Sequence, residues 1–452
     1  MSDMELSIGL FPGQGGYRVG CLNGLLADPD ARRVLATVDE IITETLGKPL
    51  LRTLEDNASR SDEELFDAEP ELVQAASFAV SVALFEVFRA RGATPSVLIG
   101  HSLGEVGALV CSGALTLDEG TRILSHRITV LRENDTSGGR MLALACDRER
   151  AEQILALLPT SDAVVAVANG PSQTGVSGPA DALSRVARIA EAIGVPATRL
   201  RAPHPFHNPL LAAAGRVFAE RVRGHRSHGF RTPVFSPILG RYYREQDDLG
   251  ELLAAHLVAP VEFGAAVDRA HDAGARIWVE FGAGRVLTNL VRARHREVTV
   301  LTPLHGSSDA LIGAVTFLGG RSDGLTEVTP KAAPAPPVQP VVAAEPAVAP
   351  PVPTVPAEPA EPALSRDDIE AKVRKLYSDA LEYPEEVFEH DAELEADLGI
   401  DSVKQTELMG RLGDLFELGP RPEGMRMGDY RTFGKVIEFV SGSLPSVNGS
   451  HR

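Results

Sequence analysis

Ser96-Val97-Leu98-Ile99-Gly100-His101-Ser102-Leu103-Gly104-Glu105-Val106-Gly107-Ala108-Leu109-Val110-Cys111 is the stretch that decides how this chain folds. Ser96 to Ile99 is a short apolar run with the composition of a buried strand, and Leu103 to Cys111 reads as the helix that follows it. Between them, Gly100-x-Ser102-x-Gly104 fits a sharp strand-to-helix turn. Glycines flank such a turn because a Cβ at either place would block the bend that exposes the serine hydroxyl. The helix start adds N–H groups and a positive dipole end that suit a developing oxyanion. Ser102 is therefore the candidate nucleophile.

Upstream, Leu6 to Phe11 is an apolar run that ends in Pro12-Gly13, a strand running into a loop. Leu72 to Arg91 has helical periodicity, and Leu117 to Arg127 reads as a helix ending at Arg127. Strands alternating with helices predict an α/β fold with a parallel-sheet core of α/β-hydrolase-like layout. Met141 to Ala145 and Ala163 to Ala168 read as strands flanking a helix, Arg148 to Leu158, and Pro179 to Ile193 reads as a second helix. These elements predict a small inserted α+β subdomain, ferredoxin-like, at about 135–200.

The chain has 452 residues, 44% of them hydrophobic, which is more than one core usually holds. Lys331 to Ala363 consists almost wholly of Pro, Ala, Val and Glu. Such a stretch reads as an extended spacer reaching about 100 Å at most. The expected division is a first domain at 1–325, a linker at 326–364, a helical-bundle domain at 365–445 and a flexible tail at 446–452. Ser365 to Leu381 is amphipathic, with Ser365 a plausible N-cap. The net charge of −18 argues against nucleic acid, whose phosphates need a basic stripe. Cys21, Cys111 and Cys146 are odd in number and lack metal-ligand spacing, so no metal is expected, and a reducing cytoplasm is the default. Neither a signal peptide nor a run of ~18 to 20 apolar residues stands out, so no membrane partner is expected.

A serine needs a base to become a nucleophile. His207, in His204-Pro205-Phe206-His207-Asn208-Pro209, stands out among 12 histidines. By spacing alone a surface histidine is the more ordinary reading, and serine followed by histidine suits hydrolases and transferases alike.

The ordered set Phe11-Pro12-Gly13-Gln14-Gly15, Gln74, Gly100-His101-Ser102-Leu103-Gly104-Glu105, Arg127 and Phe206-His207 resembles the malonyl-CoA:acyl-carrier-protein transacylase family, including the acyltransferase domains of polyketide synthases. The resemblance runs from about Leu6 to Leu318. It implies that Ser102 forms the acyl-enzyme, with His207 as its general base. The backbone N–H groups of Gln14 and Leu103 would form the oxyanion hole. A backbone carbonyl at Glu262 would orient the histidine. Arg127 would grip the free carboxylate of a malonyl-type group, because a planar guanidinium matches a carboxylate bidentately. Gln74, His101, Asn169, His204 and Phe206 would line the substrate pocket. Malonyl-selective members resemble His-Ala-Phe-His where this chain has His204-Pro205-Phe206-His207, so malonyl is favoured and an unusual extender stays open. The alternatives are a proofreading hydrolase of acyl-carrier thioesters and a transferase for a non-malonyl group; members of both kinds lack the arginine, so Arg127 counts against them.

Asp397-Leu398-Gly399-Ile400-Asp401-Ser402-Val403 resembles the attachment motif of acyl carrier proteins over about Ser365 to Ser443. The resemblance implies 4′-phosphopantetheine on Ser402, installed by a separate phosphopantetheinyl transferase. From Ser365 to Arg452 there are 19 acidic and 11 basic residues, a surplus suited to docking on basic enzyme surfaces. The expected activity is ping-pong transfer of an acyl group from acyl-CoA, through Ser102, to a carrier thiol. A ketosynthase or other synthase component is the expected partner.

Overall fold

Ten strands carry the N-terminal part of the chain: β1 (Leu6–Phe11), β2 (Val97–Gly100), β3 (Arg140–Leu144), β4 (Val164–Gly170), β5 (Gln173–Gly178), β6 (Ala197–Leu200), β7 (Val234–Ser236), β8 (Arg241–Tyr242), β9 (Ala275–Glu280) and β10 (Thr299–Leu301). The computed structural model describes residues 6–158, 162–305, 309–322 and 366–381, then 388, 390, 394, 405, 408–409, 411–412, 415–416 and 432–443. The chain divides into two units, Met1–Ala333 and Pro334–Arg452.

Six strands form one sheet in the order β10-β9-β1-β2-β7-β8, parallel except where β8 turns back on β7. β1 and β2 are buried almost throughout, which is why they read as continuous apolar runs without alternation. The helix Pro70–Ala90 packs in the same core as β1 and β2. Among the described helices it is the one with the length and apolarity of a membrane span, and it covers the stretch from Leu72 whose periodicity reads as a helix. In this unit 89% of its apolar window is buried, so it serves as a core helix.

The inserted subdomain runs β3, helix Arg148–Ala156, β4, β5, helix Ala180–Ala192, β6. Its antiparallel sheet has the order β4-β5-β3-β6, the βαββαβ arrangement of a ferredoxin-like layer. Two of these strands were not foreseen. Gln173-Thr174-Gly175-Val176-Ser177-Gly178 is rich in glycine and hydroxyls, and Ala197–Leu200 is a short strand with mostly exposed side chains. Glycines interrupt the first, leaving Thr174 and Val176 as its β-branched residues, and the second has four residues, so neither announces a strand strongly. A bridge between Val167 and Val261 ties this sheet to the larger unit.

In the second unit the helices Arg366–Leu381 and Phe433–Ser443 share a core of Ile369, Val373, Tyr377, Phe388, Leu412, Phe433 and Ile437. Tyr377, Phe388 and Phe433 meet within 6 Å of one another, ring centre to ring centre. Ser402, the 326–364 linker and the 446–452 tail lie outside the described residues.

Candidate active site

The two glycines of the elbow are required sterically. A Cβ on Gly100 would stand 2.3 Å from the Cα and N of Glu105, and one on Gly104 would stand 2.0 Å from the Phe11 carbonyl oxygen. Ser102 adopts φ 55° and His207 φ 60°. They are the two non-glycine residues with positive φ among those described, and such backbone strain persists only where surrounding contacts impose it.

These two residues meet. Ser102 Oγ lies 2.7 Å from His207 Nε2, across 105 positions of sequence. His207 Nδ1 lies 2.8 Å from the Ala259 carbonyl oxygen, which fixes the ring so that Nε2 faces the hydroxyl. The expected partner, Glu262, is corrected by this geometry. The Glu262 carbonyl accepts the N–H of Ala266 in the first turn of the helix Phe263–Asp272. Its side chain pairs with Arg148, so neither end is available to the histidine. Ala259 is presented instead by the turn after the helix Leu249–Ala255, where its own N–H is held by the Ala255 carbonyl. Burial pushes the His207 imidazole down to about 3, the nearby Arg127 adds to the effect, and the ring is neutral at physiological pH.

The loop after β1 lies against the elbow. A Cβ built on Gly13 would be 3.1 Å from the His101 carbonyl oxygen and 3.9 Å from the Leu103 nitrogen. Ser77 donates to the Gln14 carbonyl at 3.1 Å, and Ala283 N–H donates to the Gly16 carbonyl at 2.8 Å, so the loop is held from both sides. Among the described residues, neither the Gln14 N–H nor the Leu103 N–H has an acceptor.

Arg127 is not at a helix end. Its helix, Leu117–Asn134, continues two turns past it, and Arg127 is 7% exposed. Its Nη1 donates to Gln74 Oε1 at 2.7 Å, and its guanidinium lies 4.8 Å from the centre of the Phe206 ring. Among the described residues no carboxylate pairs with it. Burial lowers its pKa to about 10, which leaves it charged. A buried cation without a counter-ion is costly, and an anionic ligand would offset that cost.

The remaining candidates divide. His101 Nε2 lies 2.9 Å from Asn169 Oδ1, and Asn169 Nδ2 donates to Gln173 Oε1. This pair links the elbow to the inserted subdomain. His204 is one step further back: its Nδ1 lies 2.6 Å from Asp135 Oδ2, and its ring meets Phe206 edge-on at 5.6 Å. Asn208, fully buried, donates to the Ser177 carbonyl at 3.0 Å and pins the histidine loop to β5. Ala259, Asp135 and Asn208 escaped sequence reading. The first contributes only a carbonyl, which every residue has, and Asp135 stands 69 positions from its partner.

The site thus sets a serine hydroxyl against an imidazole that burial keeps neutral, with a buried guanidinium nearby. The acyl transferase domain family matches residues 10–316, and the phosphopantetheine attachment site family matches residues 371–440. Erythronolide synthase EryA3 of Saccharopolyspora erythraea is 31% identical over 298 residues, which is 66% of this chain but 9% of that synthase. The malonyl CoA-acyl carrier protein transacylase of Bacillus subtilis is 30% identical over 65% of this chain and 91% of its own length. The solved malonyl CoA-acyl carrier protein transacylase of Coxiella burnetii superposes with a TM-score of 0.62 at 25% identity, covering 70% of this chain and 99% of that one. These matches place an acyl transferase domain ahead of a phosphopantetheine attachment domain, and the chain spans only 9% to 14% of the length of the first synthases it matches. The chain belongs to the acyl transferase family of malonyl-CoA:acyl-carrier-protein transacylases and polyketide synthase acyltransferases, with a phosphopantetheine attachment domain downstream.

Proposed function

We propose that this chain moves a malonyl-type acyl group from CoA, through Ser102, to the thiol of an acyl carrier domain in polyketide or fatty-acid-like synthesis. The observation that carries this reading is the 2.7 Å contact of Ser102 with a neutral, carbonyl-held His207, beside a buried Arg127 that has no carboxylate partner among the described residues. His207 Nε2 takes the Ser102 proton as Oγ attacks the thioester carbonyl. The Gln14 and Leu103 N–H groups receive the oxyanion. The carbon–sulfur bond breaks, and His207 returns its proton to the departing thiolate. In the second half His207 takes the proton of the incoming thiol and gives it back to Ser102 Oγ as the ester bond breaks. When attached, 4′-phosphopantetheine supplies that thiol. The family match over 371–440 supports a carrier domain, and Ser402 is the position we assign to the arm.

We assign the transferase to 1–325, the spacer to 326–364 and the carrier to 365–445. A phosphopantetheinyl transferase would install the arm and a ketosynthase would consume the product. A tether of this length gives the carrier a raised effective concentration at its own transferase. The test is intact-protein and peptide mass spectrometry of the holo chain offered malonyl-, methylmalonyl- and acetyl-CoA. Malonyl mass is expected on the Ser102 peptide first and on the Ser402 peptide second. Absence of acyl mass on Ser102 with every donor would sink the reading. For self-loading, a dilute mixture of Ser102→Ala and Ser402→Ala chains should load poorly; undiminished loading would mean transfer between chains.

A further inference from the structure

Three residues beyond Ser102, Glu105 occupies the first turn of the helix Gly104–Ser112 and is fully buried. The acyl transfer outlined above makes no use of it. Its Oε1 accepts from Ser236 Oγ at 3.0 Å and its Oε2 accepts from Tyr243 Oη at 2.6 Å. His256 Nε2 stands 3.2 Å from Tyr243 Oη and 3.5 Å from Glu105 Oε2. Tyr243 and His256 are 5% and 6% exposed, so water does not serve this cluster in place of protein partners. Burial lifts the Glu105 carboxyl to about 8 and depresses His256 to about 3, leaving neutral groups that hydrogen-bond one another at physiological pH.

The backbone at each end of this cluster leads to the reacting pair. Glu105 N–H donates to the Ser102 carbonyl at 3.0 Å, so its side chain and the nucleophile share one rigid turn. His256 closes the helix Leu249–Ala255 and begins the turn that holds the base. That turn presents the Ala259 carbonyl to His207 Nδ1 at 2.8 Å and the Leu257 carbonyl to Asn208 N–H at 3.3 Å. Tyr243 itself is anchored to the sheet, its N–H donating to the Val234 carbonyl on β7 at 3.0 Å.

We propose that Glu105, Tyr243 and His256 act as a buried strut that sets the distance and angle between Ser102 and His207. They are positioning residues: none touches the acyl group. The proposal rests on the reading of Ser102 and His207 as nucleophile and base. Burying a carboxyl, a phenol and an imidazole together is unfavourable unless each finds its partner, and this network supplies a partner to each. Displacement of a reacting pair by ~1 Å costs on the order of 100-fold in rate.

Tyr243→Phe cuts the strut by removing one oxygen. Its effect is read as the rate at which a neutral fluorophosphonate labels Ser102, which reports activation of the nucleophile without any contribution from carboxylate binding. The expected result is labelling and kcat lowered about 10- to 100-fold, with KM for malonyl-CoA within about twofold, in a chain that is folded at the assay temperature. Glu105→Gln keeps the shape and an acceptor for Tyr243 and is expected to lose less, yet measurably. Wild-type labelling in Tyr243→Phe overturns the proposal, as does kcat and KM worsening together. If Tyr243→Phe does not fold, wild-type labelling in Glu105→Gln overturns it instead. A His207→Ala chain separates the two ideas. Labelling as fast as wild type there would sink the nucleophile–base reading and the strut with it. A silent His207→Ala beside a fully active Tyr243→Phe would sink the strut alone.

Discussion

Replacing Arg127 by methionine removes the charge while keeping a long side chain against Phe206, so little space opens in the pocket. Two effects should follow. A malonyl carboxylate loses a charge-assisted, bidentate partner worth about 1.5–3 kcal/mol, which lowers kcat/KM for malonyl-CoA by about 10- to 150-fold. An acetyl group has no carboxylate to lose. For acetyl-CoA the cation is a hindrance, because Arg127 already depresses His207 and opposes the imidazolium that forms in the transition state. In the variant, acetyl-CoA turnover should therefore hold or rise, and the malonyl-to-acetyl preference should collapse. Arg127→Lys should fall between, since an ammonium is a point charge without the planar fork. The assay is CoA release under kcat/KM conditions for both donors, with acyl-Ser102 counted by mass spectrometry. Equal losses for the two donors would refute the reasoning, because they would mean general damage and no specific loss of carboxylate recognition.

Glu262→Gln should leave turnover within about twofold, since its half-exposed side-chain pair with Arg148 is worth at most ~1 kcal/mol and its carbonyl stays committed to the helix; a large loss in the same CoA-release assay would mean that the Glu262 side chain takes a part in turnover that this pairing does not account for. Asp135→Ala frees His204, and through it Phe206 and the seat of Arg127, so malonyl preference over acetyl should drop about 5-fold, the equivalent of ~1 kcal/mol, in a competition assay. Stability should peak near pH 6.5. Below that value the unfolded chain protonates histidines that folded His207 and His256 keep neutral down to about 3, so stability falls as pH falls, by up to about 1.4 kcal/mol per unit for each. Above about 4.5 Glu105 acts the other way: folded it holds its proton up to about 8 while the unfolded chain releases it, so its contribution is lost as pH rises. Calorimetry from pH 4.5 to 8 would show the peak, and Glu105→Gln should flatten the alkaline side; an unchanged alkaline slope would count against a protonated Glu105.

What the sequence determined by itself is the set of features written in neighbouring residues. Leu6–Phe11 and Ser96–Ile99 could be read as strands because continuous burial leaves a continuous apolar run, and Gly100-x-Ser102-x-Gly104 because a tight bend excludes side chains on either side. The ordered motifs then pointed to the family. Tertiary structure alone decided that His207 reaches Ser102 across 105 positions, and that a carbonyl at Ala259, not Glu262, orients it. It also decided that Arg127 is buried mid-helix without a counter-ion among the described residues, and that Glu105, Tyr243 and His256 join behind the elbow. The physical reason is one of range. Sterics and periodicity act over a few residues and leave a local signature, whereas a hydrogen bond between distant segments, or one made by a backbone carbonyl common to all residues, leaves none.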